Sequence, residues 1–189
     1  MERVVLIGDS IRMGYQATVE KELAGEAEVW EPEVNGGNSR KVKEHLDAWA
    51  LASPSKVIHI NCGLHDLKVE FGDEESAVPL TEYRQNVEEI LRRLVTQTQA
   101  QVIWAATTPV NEAWHHERKG FDRFESYVAA YNEAASEICE KLDIPVNDLH
   151  GMVLEAGRDR LLTPDGVHFV EEGSVLLGKA VAKAVREYL

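Results

Sequence analysis

The sequence predicts an α/β fold in three layers, a five-stranded parallel sheet wound in both directions with helices on each face. Three observations predict it. Short apolar runs alternate with helical patterns along the whole chain. The runs are mostly continuous rather than alternating, which suits strands covered on both faces. The unusual polar clusters all follow the carboxyl ends of these runs, the edge at which open parallel sheets bind ligands. At 189 residues the chain is long enough for one full core and short for two, so residues 1–189 are read as a single domain.

Residues 4–7 form the first strand, followed by Gly8-Asp9-Ser10 and a helical pattern through Met13, Ala17 and Leu23. Residues 27–30 form the second, followed by Asn35-Gly36-Gly37-Asn38-Ser39, with Ser39 expected to cap a helix reaching Leu51. The third strand, residues 57–61, leads into Gly63-Leu64-His65-Asp66, and Val87, Ile90, Leu91 and Leu94 then share one helix face. Residues 102–106 are the fourth strand, ahead of Thr107-Thr108-Pro109-Val110-Asn111. The next helix carries Val128, Tyr131, Ala135, Ile138 and Leu142 on one stripe, and Asp122 and Glu125 have the spacing of a capping box at its start. Residues 144–147 give a weaker fifth strand, and Leu177, Val181, Val185 and Tyr188 stripe the last helix. Segments 67–80 and 109–121 exceed the usual strand-to-helix connection and leave the same edge, so they are expected to form a substrate rim or lid.

The formal charge of −13, from 33 acidic and 20 basic residues, argues against nucleic acid or an anionic membrane as partner. Such a surface favours solubility and neutral or cationic small ligands. No run of 18 apolar residues occurs, and the opening Met1-Glu2-Arg3 enters a strand without secretory features, so a cytoplasmic protein is expected. Cys62 and Cys139 are read as reduced core thiols rather than a disulfide.

The chemistry begins with Ser10, placed near the N-terminus of the first helix, where free N–H groups and the helix dipole favour an anion. A serine needs a base, itself held in one tautomer by a third group. Thr163-Pro164-Asp165-Gly166-Val167-His168 offers both: Asp165 can accept from one imidazole nitrogen of His168 while the other faces Ser10. Beside this catalytic reading stand plainer ones, a helix cap at Asp9 or Ser10 and a turn around Pro164, Asp165 and Gly166. Gly36 and Gly37 permit a tight turn, with or without an N–H donated to an oxyanion. Asp9 and Asn111 are candidate substrate contacts, Asn111 alternatively a loop-stabilising side chain. His115 and His116 read as rim residues, since adjacent positions seldom meet one metal ion, and no metal is expected. His45, His59 and His150 read as structural.

Together these residues resemble the SGNH hydrolases, also called GDSL esterases and lipases. Gly8-Asp9-Ser10-Ile11 is similar to the family's first block, Gly37 before Asn38 and Ser39 to its second, with Gly36 the adjacent alternative, and Asp165-x-x-His168 to its last. Thr108-Pro109 and Tyr131-Asn132 also resemble the family, and the match runs along the whole chain in order. The resemblance implies a flavodoxin-like sheet, a Ser10-His168-Asp165 triad, and oxyanion donors in the N–H groups of Ser10 and Gly37. The third block departs: where the family has Gly-x-Asn-Asp, this chain has Gly63-Leu64-His65-Asp66. An imidazole N–H can donate as an amide does, so His65 is expected to be the third oxyanion donor, with Asp66 holding its loop.

The resemblance thus implies a serine esterase without cofactor, acting on a small-molecule ester. Short acyl groups, acetyl first, on a small polar or carbohydrate alcohol fit the acidic surface; a thioesterase or lysophospholipase of the same family is an alternative. From another class, a non-catalytic nucleotide- or small-ligand-binding module would use the same crevice. The chain has neither Gly-x-Gly-x-x-Gly nor a Gly-Lys-Ser/Thr phosphate loop to favour it.

Overall fold

The computed structural model describes residues 1–189. In chain order the elements are β1 (Glu2–Ile7), α1 (Ser10–Glu22), β2 (Ala27–Trp30), α2 (Ser39–Leu46) continuing into a π-helical turn (Asp47–Leu51), β3 (Val57–Ile60), β4 (Val69–Glu70), α3 (Leu80–Gln97), β5 (Gln101–Ala105), α4 (Glu112–Arg118), β6 (Phe121–Asp122), α5 (Glu125–Lys141), β7 (Val146–Asn147), α6 (Leu149–Ala156), α7 (Arg158–Leu161) and α8 (Glu171–Arg186). Five strands form the parallel sheet in the order β2-β1-β3-β5-β7, the flavodoxin-like winding expected. Chain direction across the sheet reverses between β1 and β3, so the loops leaving these two strands flank the switch point.

The central strands explain the continuous apolar runs. Val4 pairs with Val57 and Ile7 with Ile60, and all four are fully buried. Burial of each such side chain contributes roughly 1.5–3 kcal/mol. His59 lies within β3 and is equally buried; its Nε2 accepts from the Asn147 side-chain amide at 3.2 Å, and burial pushes its pKa down to about 4, keeping the ring neutral. The fifth strand is weak for a covalent reason: Pro145 has no N–H to give, so it serves at the edge as acceptor only, taking the Trp104 N–H at 3.0 Å.

α1 and α8 cover one face of the sheet, with α2, α3 and α5 on the other. Tyr83 and Tyr131 meet between α3 and α5 with ring centroids 4.7 Å apart, and the Tyr83 hydroxyl donates to the Cys62 carbonyl at the end of β3. Cys62 and Cys139 are buried free thiols. No helix is long and apolar enough to cross a membrane.

Three local expectations need correction. The cap of α2 is Asn38, whose side chain accepts from the Lys41 N–H at 3.1 Å; Ser39 is the first helical residue and fully buried. The Asp122–Glu125 capping box does not form, because Asp122 belongs to β6 and its carboxylate bonds His116 at 2.7 Å. The two long segments are not open loops either. β4 from the first pairs antiparallel with β6, which begins at the last residue of the second, through Val69–Asp122 and Glu70–Phe121, and this joins both excursions into one small ribbon.

Candidate active site

α1 begins at Ser10 because Asp9 caps it, its Oδ1 accepting the Ile11 N–H at 2.9 Å. Ser10 therefore stands at the first helical position, where a backbone N–H has no intrahelical acceptor. Its Oγ lies 2.9 Å from His168 Nε2. His168 sits in the Leu162–Phe169 loop, closed by an antiparallel bridge at its ends and by the Thr163 N–H bonding the His168 carbonyl at 2.7 Å. Gly166 permits the turn: its φ is +75°, and a Cβ there would lie 2.4 Å from the Asn111 carbonyl.

His168 Nδ1 is 2.6 Å from Asp165 Oδ2. A carboxylate only accepts, so Nδ1 carries the proton and Nε2 accepts from the Ser10 hydroxyl. Asp165 is itself fixed, with Oδ1 accepting from the Val167 and His168 N–H groups at 3.0 Å and the Thr163 hydroxyl at 2.8 Å. Burial alone would raise its pKa, but these bonds together hold it well below the usual carboxylate range. The three residues, 158 positions apart at the extremes, form one hydrogen-bonded relay.

The second polar loop crosses the first. Gly36 N–H donates to the Gly8 carbonyl at 3.0 Å, and a Cβ at Gly36 would lie 2.6 Å from that oxygen, so only glycine fits the crossing. Buried Arg12 of α1 secures the loop from below by donating to the Pro32 and Val34 carbonyls at 3.0 and 2.9 Å. Gly37, expected as an oxyanion donor, is not free: its N–H donates to Asn35 Oδ1 at 2.8 Å. Asn35, rather than Gly37, lines the cleft.

The third loop presents His65 to the same cleft, and its imidazole has no hydrogen-bond partner in the protein. Burial lowers its pKa, and Arg123, Lys68 and His168 lower it further against the opposing pull of Asp9, so the ring is neutral at pH 7. Asp66 is fully buried and joins this loop to α2, its two carboxylate oxygens receiving the Ser39 N–H at 2.9 and 3.0 Å. Burial outweighs those bonds and pushes the Asp66 pKa up to about 7.

The cleft has a volume of about 280 Å³, at the small end for ligand sites. Ser10, His65 and His168 face it; Lys119 and Phe121, at the end of the segment expected as a rim, line it too, with Arg123, to which sequence reasoning gave no role. The one trace of Arg123 in the sequence is a locally basic run, Arg118-Lys119 to Arg123, in an acidic chain.

Other candidates lie elsewhere or are otherwise engaged. Asn111 is buried away from the cleft as the cap of α4, accepting the Trp114 N–H at 3.1 Å and donating to Asp159 at 3.1 Å, so its side chain is held by these bonds rather than lining the cleft. Asp9 is at the cleft floor but only 1 % exposed, with one oxygen spent on its cap and the other sealed, which removes it as a direct substrate contact. His115 is fully buried rather than on the rim, bonding the Asp165 carbonyl at 3.1 Å, while His116 is exposed. His45 bonds the Lys41 carbonyl and His150 the Glu125 carboxylate. No three His, Cys, Asp or Glu side chains converge on a point that would hold a metal ion.

Comparison with known proteins adds to this geometry. A model of the GDSL-like lipase/acylhydrolase family matches residues 6–176. Among solved structures, a lipase/acylhydrolase from Enterococcus faecalis superposes with a TM-score of 0.82 at 22% identity, over 99% of this chain and 96% of that one. An acetylxylan esterase from Geobacillus stearothermophilus superposes with a TM-score of 0.78 at 19% identity, over 97% of this chain and 94% of that one. No curated protein matches the sequence.

Proposed function

Because the chain belongs to the GDSL-like lipase/acylhydrolase family and is thus a carboxylic ester hydrolase, we propose that it hydrolyses short-chain esters, acetyl esters first, of a small polar or carbohydrate alcohol through Ser10, His168 and Asp165. The observation that carries this reading is the unbroken relay from Ser10 Oγ to His168 Nε2 at 2.9 Å and from His168 Nδ1 to Asp165 at 2.6 Å. Ser10 attacks the ester carbonyl as His168 takes its proton, and Asp165 stabilises the imidazolium. His168 then protonates the leaving alcohol, and a water activated by the same ring releases the acid from Ser10.

The oxyanion is met by the Ser10 N–H, by the neutral His65 ring and by Gly37 N–H, the last only when the Asn35 carboxamide gives way to it. Neutral His65 donates through one tautomer, so its contribution does not depend on remaining protonated. The small cleft supports a short acyl group, and the acetylxylan esterases among the structural relatives support an acetylated carbohydrate as the substrate class.

The test is initial-rate hydrolysis of p-nitrophenyl acetate, butyrate and octanoate by the wild type and Ser10→Ala. The expected result is turnover that favours acetate and is abolished by the substitution. Equal rates for wild type and Ser10→Ala on all three esters would refute a Ser10 esterase.

A further inference from the structure

Arg123 is a buried cation with no carboxylate in ion-pair contact. It is 7 % exposed, yet its Nε donates to a neutral carbonyl, that of Leu64 at 2.6 Å, and its Nη1 faces His115 Nε2 at 3.4 Å. The guanidinium also lies 4.9 Å from the Phe121 ring centroid. Its second terminal nitrogen, Nη2, has no partner in the protein and is not sealed from solvent, and Arg123 lines the cleft that holds Ser10. Asp9, on the cleft floor, makes no ion pair with it and turns one oxygen to its helix cap. Surface arginines of this chain do pair, as Arg40 with Glu82 and Arg186 with Glu26. Asp9 and Asp165 act on Arg123 from beyond ion-pair distance and only partly offset its burial, so an anion entering the site would gain a direct contact.

Lys119 lies on the same wall, its Nζ 3.5 Å from Asp165 Oδ2. Both cations stand on the side of the relay. Lys119 touches Asp165 directly, and Arg123 reaches the same loop through His115, which bonds the Asp165 carbonyl. Both line the same cleft as Ser10 and His168, whose Nε2 protonates the leaving oxygen in the reading above, so an alcohol held in this cleft is within their reach.

We propose that Arg123 Nη2, with Lys119 at the rim, forms an anion subsite for the alcohol portion of the substrate, selecting short-chain esters whose alcohol carries a carboxylate or phosphate. This rests on the Ser10 esterase reading and refines its substrate class. The chemistry is unchanged: the acyl carbon bonds Ser10 Oγ, the ester C–O bond breaks, the serine proton passes through His168 to the alkoxide, and the anionic alcohol leaves with its charge on Arg123. Water then regenerates Ser10. The net charge of −13 disfavours anions over the surface at large, whereas this wall is locally cationic.

The test compares 3-acetoxybenzoate and 3-acetoxyphenyl phosphate with the neutral 3-acetoxybenzamide, each kcat/KM divided by the ester's rate with hydroxide. The wild type is expected to favour at least one anionic ester by about tenfold to a hundredfold, the range of a charge-assisted hydrogen bond in a partly dry site. Which anion gains tells carboxylate from phosphate. The preference should collapse in Arg123→Gln and weaken in Lys119→Gln. Equal handling of all three esters by the wild type overturns the subsite. So does an Arg123→Gln enzyme that loses rate on every ester in the same proportion, since Arg123 would then only position the Leu64–His65 loop. Should Arg123→Gln fail to fold, Lys119→Gln and the salt dependence of competitive inhibition by 3-hydroxybenzoate decide: unchanged preference in the first and no inhibition in the second overturn it. If no ester shows Ser10-dependent turnover, the esterase reading itself falls. Calorimetric titration of Ser10→Ala with 3-hydroxybenzoate and 3-hydroxyphenyl phosphate then judges the subsite alone, and absence of binding by both overturns it.

Discussion

Replacing Asn35 by alanine tests how the oxyanion site is completed. Asn35 Oδ1 holds the Gly37 N–H at 2.8 Å on a half-buried loop, so a substrate oxyanion competes with a carboxamide for the same proton. A neutral bond of this kind is worth about 0.5–1.5 kcal/mol net. Removing it spares the transition state that displacement, which corresponds to a rise in kcat/KM of about two- to tenfold at 25 °C. The gain has a counterweight, since the same bond rigidifies the turn; urea unfolding of the variant should read a loss of similar size. The assay is kcat/KM on p-nitrophenyl acetate, with Asn35→Asp in parallel. The aspartate keeps the acceptor and adds a negative charge where one must develop, so it should fall below wild type. A drop of roughly 10²–10³ in Asn35→Ala at unchanged stability would refute the reasoning, because that is the cost of deleting a donor. The carboxamide N–H of Asn35 would then be the group that meets the oxyanion.

Two further outcomes follow from buried titratable groups near the relay. His65→Ala should lower kcat by about 10²–10³ with little change in KM, His65→Asn should recover most of it, and, because burial and neighbouring cations keep the ring neutral, wild-type activity should show no loss attributable to His65 between pH 7 and 9. Asp66 has a folded-state pKa raised by burial from 3.8 to about 7, so the folded protein holds a proton that the unfolded chain releases. The stability this group contributes is present below about pH 4 and is lost as pH rises to 7, by at most roughly 4 kcal/mol at about 1.36 kcal/mol per pH unit. Asp66→Asn, which retains an acceptor for the Ser39 N–H, should flatten this slope in urea titrations at pH 5 and 8, and an unchanged slope would count against a protonated Asp66.

The sheet was legible because its central strands β1, β3 and β5 are largely apolar on both faces and long enough to show it, while the two-residue edge strand β7 was only weakly marked, beside Pro145. The relay was legible because Asp165 and His168 are three residues apart in one turn and Ser10 closes a strand at the correct edge. What escaped has equally physical causes. β4 and β6 contain two residues each, too few for a period, so the length of their segments pointed to a rim but not to the strand pairing that builds it. Asp122 and Glu125 have the spacing of a capping box, yet strand pairing claims Asp122 before the helix begins. Asn111 follows the right strand, but the helix starting one residue later recruits its side chain as a cap. Gly37 has the conformational freedom expected of it, with φ at +66°; what the sequence conceals is that Asn35, two residues back, turns onto its N–H. Arg123 is one basic residue among many until a fold buries it with no carboxylate in ion-pair contact.

The ribbon that makes the cleft wall is fastened to itself by two residue pairs and shares no strand with the main sheet. Its side chains, however, reach the loops that the main sheet carries: Lys119 pairs with Asp165, Arg123 donates to the Leu64 carbonyl, and Phe121 packs on His115. The relay and the wall facing it are therefore distant in sequence but joined by side-chain contacts. A lineage, or an engineer, that rewrites residues 119–123 changes the cleft wall and the support of the His65 and Asp165 loops together.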